Sequence, residues 1–111
     1  MGPIVFLYVT APDEAGAARI AEALIRSRAA ACVNILPRIT SVYRWRDGVE
    51  RAEETAMIVK TTAAKAAAAR ALIEDLHPYE TPAIAALPVD SPGSAEKFIR
   101  WIETATAETL S

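Results

Sequence analysis

The chain has 111 residues, 52% of them hydrophobic and 23% charged. That supplies enough apolar material for a buried core in one domain spanning residues 1–111 and excludes a disordered chain. With 12 Lys and Arg against 14 Asp and Glu, net charge −2, no basic surplus points to nucleic acid or to an anionic membrane as partner.

Residues 4–9 form an apolar run rich in β-branched and aromatic side chains. It is too short to span a membrane and lacks the basic flank of a leader, so it reads as a central strand and the expected location is the cytoplasm. Pro12, Asp13 and Glu14 then suit a helix start. Ala17, Ile20, Ala21, Leu24 and Ile25 follow at helical spacing, with Arg19, Glu22 and Arg26 opposite.

From residue 31 to residue 45 the period changes to that of a strand, interrupted by Pro37, which demands a bulge or an edge position. Asp47-Gly48 is a strong hairpin signal, and the return strand covers residues 49–61. Thr62 can cap a second helix over residues 63–76, with Ala66, Ala69, Leu72, Ile73 and Leu76 on one stripe. His77-Pro78 ends it, because the residue before proline is pushed out of helical geometry. A short strand over residues 83–87 ends at Pro88. A turn then leads to a last helix capped by Ser94, with Ala95, Phe98, Ile99 and Ile102 facing inward. The order β-α-β-β-α-β-α matches an α+β, ferredoxin-like arrangement with an added C-terminal helix and a long central hairpin.

The length of that hairpin predicts partners. Residues 31–45 extend roughly 45 Å at about 3.3 Å per residue, whereas a domain of this size has a radius of gyration of about 13 Å. A projecting tip carries Ile39, Val42, Tyr43 and Trp45 beyond the core, and exposed apolar groups of that size mark an interface.

No catalytic constellation emerges, and the chain is expected not to be an enzyme. His77 is the only histidine and follows a helix C-terminus, where it serves either the helix dipole or a metal or proton. Cys32, the only cysteine, excludes an intrachain disulfide and serves either as a small core residue or as a soft metal ligand. Adjacent strand residues Glu53 and Glu54 point to opposite faces and make a poor acid/base pair. Glu80 is better placed, in the segment after the second helix.

Six segments in order carry a resemblance: Thr10-Ala11-Pro12-Asp13, Ala29-Ala30-Ala31-Cys32-Val33-Asn34-Ile35, Thr40-Ser41-Val42-Tyr43-Arg44-Trp45, Ile58-Val59-Lys60-Thr61-Thr62, His77-Pro78-Tyr79-Glu80-Thr81-Pro82 and Leu87-Pro88-Val89. Together they resemble the CutA family of divalent-cation tolerance proteins. The resemblance implies a ferredoxin-like homotrimer whose hairpins pair across subunits, with an architecture similar to that of the PII signalling proteins. It implies binding of copper, Cu²⁺, or another divalent metal, and no organic cofactor. Of three proposed metal-ligand positions, two are Val9 and Leu76 here, which leaves His77 as the metal residue. Cys32, Lys60, Tyr79 and Glu80 match residues grouped around a cleft between subunits. The alternative implied is a PII-like signalling or scaffold trimer that binds a small molecule or a protein in that cleft without a physiological metal.

Overall fold

The computed structural model of the chain describes residues 3–107. The elements run β1 (Ile4–Ala11), α1 (Glu14–Arg26), β2 (Cys32–Trp45), β3 (Gly48–Thr62), α2 (Ala63–Leu76), β4 (Ile84–Val89) and α3 (Glu96–Thr106). The four strands form one antiparallel sheet in the order β2-β3-β1-β4. With α1 and α2 this is the split βαββαβ arrangement that the sequence pattern predicts.

Strand alternation divides the sheet between two cores. Leu7, Val9, Met57 and Val59 pack against Ala17, Ile20 and Leu24 of α1 and against Ala69 and Ile73 of α2. Ile4 turns to the opposite face, where it meets Ile99 and Ile102 of α3 with Phe6 and Phe98 alongside. α3 therefore covers only one end of that second face, and Tyr8 further along β1 stays 39% exposed.

The helix limits follow from local chemistry. Asp13 caps α1 by accepting from the Gly16 N–H at 2.7 Å. At the other end the Ala29 and Arg28 N–H groups donate to the Leu24 and Ile25 carbonyls, and Arg28 takes φ 62° in the place usually held by glycine. Thr62 caps α2 by accepting from the Lys65 N–H at 3.2 Å. α2 stops at Leu76, with His77 already extended ahead of Pro78.

Three details depart from expectation. Ser94 does not cap α3: its hydroxyl donates to the Asp90 carbonyl at 2.6 Å, while the Asp90 carboxylate accepts from the Gly93 N–H. The turn takes up the serine, and α3 starts from Ala95 without a side-chain cap. Pro88 lies inside β4 instead of ending it, and β4 is an edge strand, so no further strand asks for its missing N–H. The hairpin loop is Arg46-Asp47, since Gly48 already pairs with Trp45. Arg46 carries the positive φ, 56°, and no described glycine does.

β2 and β3 form an arm. It gives the molecule a long axis of 50 Å against a thickness of 20 Å, and a Cα radius of gyration of 14.9 Å. Near its tip Val42, Trp45 and Val49 are 60%, 57% and 70% exposed. Halfway along, Leu36 pairs with Ala56 but Ile39 with Glu54, so β2 holds one extra residue there. This is the bulge expected at Pro37, with Arg38 at φ 60° beside it.

Candidate ligand-binding cleft

The bulge decides which side chains meet the open part of the sheet. Cys32, Asn34 and Leu36 pair with Lys60, Ile58 and Ala56 and share a face with Phe6 and Tyr8 of β1. The extra residue transfers that face from even to odd positions of β2. Ile39, Ser41, Tyr43 and Trp45 then lie on it, paired with Glu54, Ala52, Glu50 and Gly48. Val42, Arg44, Val49 and Arg51 take the reverse side of the arm.

From the root of the arm towards its tip this face carries a cleft of about 700 Å³, lined among others by Thr10, Tyr43, Trp45, Glu54, Tyr79 and Glu80. The segment between α2 and β4 closes one wall. There the Tyr79 hydroxyl donates to the Glu54 carboxylate at 3.2 Å. Burial, that hydrogen bond and the neighbouring Glu54 charge push the Tyr79 hydroxyl above its usual value, in that order of weight. The phenol thus remains a neutral donor to Glu54 at physiological pH.

His77 stands behind this wall, 7% exposed. Its Nε2 lies 2.7 Å from the Thr10 carbonyl oxygen, and its Nδ1 accepts from the Tyr79 N–H at 3.1 Å. These partners assign the proton to Nε2, which donates to Thr10. Both nitrogens are therefore engaged, and the ring packs at 4.9 Å from that of Tyr79. The imidazole orients the cleft wall from behind. Among the described residues no group of three or more His, Cys, Asp or Glu side chains is arranged to hold a metal.

Tyr79 and Glu80 share the cleft, whereas Cys32 and Lys60 do not reach it within one chain. Cys32 opens β2, half-buried, opposite Lys60. The Lys60 ammonium sits 5.8 Å from the Phe6 ring centre and 5.4 Å from that of Phe98. Phe6 is four residues from Thr10 along β1, about 13 Å at strand spacing. Glu54, Tyr43 and Trp45 are cleft residues that sequence patterns alone do not reveal. The one signal available is strand parity counted through the bulge.

A four-stranded antiparallel sheet with two helices on one face, a third helix capping part of the other and a cleft along a long hairpin defines a small α+β domain. Residues 5–105 match the family model described as CutA1 divalent ion tolerance protein. The divalent-cation tolerance protein CutA of Archaeoglobus fulgidus is 43% identical over 98 residues, covering 88% of this chain and 93% of the relative. Protein CutA of Mus musculus is 35% identical over 105 residues, and the match covers 95% of this chain but only 58% of the mouse protein's length. Among solved structures, CutA1 from Ehrlichia chaffeensis superposes with a TM-score of 0.89 at 40% identity, covering 97% of this chain and 99% of that one. CutA1 from Oryza sativa gives 0.90 at 34% identity, with 97% of each chain covered. The chain belongs to the CutA1 divalent ion tolerance family. Relatives include a chloroplastic protein of Arabidopsis thaliana and a protein of Archaeoglobus fulgidus described as periplasmic. Among the described residues no helix is long and apolar enough to cross a membrane.

Proposed function

We propose that this chain, as one domain over residues 1–111, works in divalent-cation tolerance as a cytoplasmic homotrimer that binds rather than catalyses. Copper or another divalent cation is its ligand, held where the clefts of neighbouring subunits meet. One observation carries the reading: the cleft opens beside an arm that leaves Trp45 57% and Val49 70% exposed. Neighbouring copies laid along both sides of the arm, Trp45 on one and Val49 on the other, remove those groups from water, at about 25 cal/mol per Å² of apolar surface. They also bring further donors to Glu54 and Glu80. His77 contributes a nitrogen to such a site only by releasing the Thr10 carbonyl or the Tyr79 N–H.

Light scattering on gel filtration tests the assembly, and three times the 11.9 kDa chain mass is expected. Calorimetric titration with Cu²⁺ tests the ligand. Equal affinity in wild type and His77→Ala removes His77 from the site, and no heat from either protein removes copper.

A second reading is a signalling or scaffold trimer, similar in architecture to the PII proteins, that binds a small molecule or a protein in the same cleft. It is favoured by the cleft's volume, which lies in the range of small-molecule sites, and by its aromatic lining. Stoichiometric, tight copper binding in the absence of other ligands counts against it.

A further inference from the structure

We infer that His77 is a positioning residue: its imidazole fixes Tyr79, and through Tyr79 the Glu54 carboxylate, and gives no nitrogen to a bound ion. The inference rests on the reading of this region as a divalent-cation site and separates support from ligand within it.

The contacts close a circuit on the sheet. His77 Nε2 donates to the Thr10 carbonyl near the end of β1 at 2.7 Å. Its Nδ1 accepts from the Tyr79 N–H at 3.1 Å, across Pro78. The Tyr79 hydroxyl donates to Glu54 on β3. Thr10 in turn pairs with Ala56, two residues along β3 from Glu54. Tyr79 is therefore held at its backbone by His77 and at its hydroxyl by Glu54, and the contacts that leave the sheet at Thr10 return to it beside their starting point. None of these groups belongs to the exposed outer part of the arm, so the circuit is complete within one chain.

The residue type follows from this geometry. A side-chain acceptor bonded to the N–H two residues on is the arrangement that Asn and Asp make in turns. The imidazole makes it here with Nδ1, while Nε2 reaches on to β1, which those shorter side chains do not. Pro78 between the partners has a fixed φ, which leaves few conformations to compete with the bond. Ligation asks for the reverse. A metal at Nδ1 takes the lone pair that the Tyr79 N–H uses, and a metal at Nε2 displaces the proton given to Thr10. The ring is also buried and packed beside that of Tyr79. Supports of this kind govern a metal site by aiming its donors, and their loss typically weakens the metal by about 10–100-fold.

The test uses the full chain labelled with ¹⁵N and two variants that each restore one bond. In His77→Asn the carboxamide oxygen can accept from the Tyr79 N–H, and in His77→Gln the longer carboxamide can donate to Thr10 but leaves that N–H without its acceptor. Circular dichroism confirms that both are folded. In the metal-free wild type, the imidazole spectrum is expected to show the Nε2-protonated tautomer, unchanged by excess Zn²⁺. Hydrogen exchange at the Tyr79 amide is expected to be slow in wild type and His77→Asn and at least about tenfold faster in His77→Gln. Zn²⁺ affinity is expected to stay within about threefold of wild type in His77→Asn and to fall at least about tenfold in His77→Gln. A ring nitrogen that takes up Zn²⁺, the Nδ1-protonated tautomer, equal amide exchange in the two variants, or equal loss of Zn²⁺ affinity in both overturns the inference. If none of the three proteins binds Zn²⁺, the reading of the region as a site for that ion fails. The tautomer and the order of amide exchange then decide this inference by themselves.

Discussion

The Tyr79 hydroxyl donates to the Glu54 carboxylate at 3.2 Å, and this bond joins the segment after α2 to the root of the hairpin arm across 25 residues of sequence. It is the side-chain link between the two walls of the cleft, and its chemistry has a signature in pH. The Tyr79 hydroxyl titrates above the ordinary phenol value of 10.0. A group whose folded value exceeds its unfolded value stabilises the fold fully below about pH 10, and that contribution is lost as pH rises through the folded value. Absorbance at 295 nm is expected to show a late tyrosine phase that Tyr79→Phe abolishes and Glu54→Gln moves to lower pH. A phase that stays in place in Glu54→Gln would sink the assignment.

The hairpin turn supports a pair of predictions, with opposite kinds of substitution at Arg46 and Gly48. Arg46 holds a left-handed backbone at φ 56°, and glycine is the residue preferred at the first central position of such a turn. Arg46→Gly is expected to raise stability by about 0.5–1 kcal/mol. Gly48 has no positive φ, and a Cβ built on it meets nothing within 4 Å. Gly48→Ala is therefore tolerated, with a gain of up to about 0.5 kcal/mol. Urea midpoints measure both, and a loss of more than about 1 kcal/mol in Gly48→Ala would place the turn one residue later.

His77 is predicted to matter for stability whatever it binds. Its ring is 7% exposed and satisfies the Thr10 carbonyl and the Tyr79 N–H. His77→Ala leaves both without that partner and costs about 1–3 kcal/mol. Copper affinities of this variant are interpretable only below its unfolding midpoint, so thermal unfolding belongs beside the titration. An unchanged midpoint would show that the ring is not held as described.

Neighbouring residues on α3 should separate cleanly. Ile102 is fully buried against Ile4 and Ile99, whereas Trp101 is 48% exposed. Ile102→Ala is expected to cost about 2–4 kcal/mol through lost burial and a cavity. Trp101→Phe is expected to cost under about 0.5 kcal/mol, as for an exposed position. Chemical denaturation of the pair checks whether α3 is part of the core. A loss below about 1 kcal/mol in Ile102→Ala would detach it.

Much of the fold is legible in the sequence because local and tertiary preferences agree there. The stripe through Ala17, Ile20 and Leu24 and the break at His77-Pro78 each have one physical solution, and the structure adopts it; Pro37 asks for a bulge or an edge position, and β2 shows both. The misreadings occur where two local solutions compete. Ser94 can cap a helix or close a turn, and the Asp90 carbonyl takes its hydroxyl. Asp47-Gly48 signals a turn, but the register with Trp45 draws Gly48 into the strand. The cleft is less legible than the fold. Tyr79 and Glu80 stand out as polar residues in a loop, yet their meeting with Glu54 depends on packing between segments far apart in sequence. The sides taken by Tyr43 and Trp45 depend on the count of residues through the bulge. No composition or periodicity reports that count.

The extra residue near Arg38 has a consequence for how related chains diverge. Beyond it, the side chains of β2 keep the faces set by their partners on β3, since Ile39 pairs with Glu54 and Trp45 with Gly48. The bulge absorbs the extra residue as a local bend and added twist. A homologue one codon shorter at this point would keep the aromatic side of β2 over the acids of β3 and lose only that bend. An alignment gap placed there would report a change in how the arm is aimed, not in which residues line it.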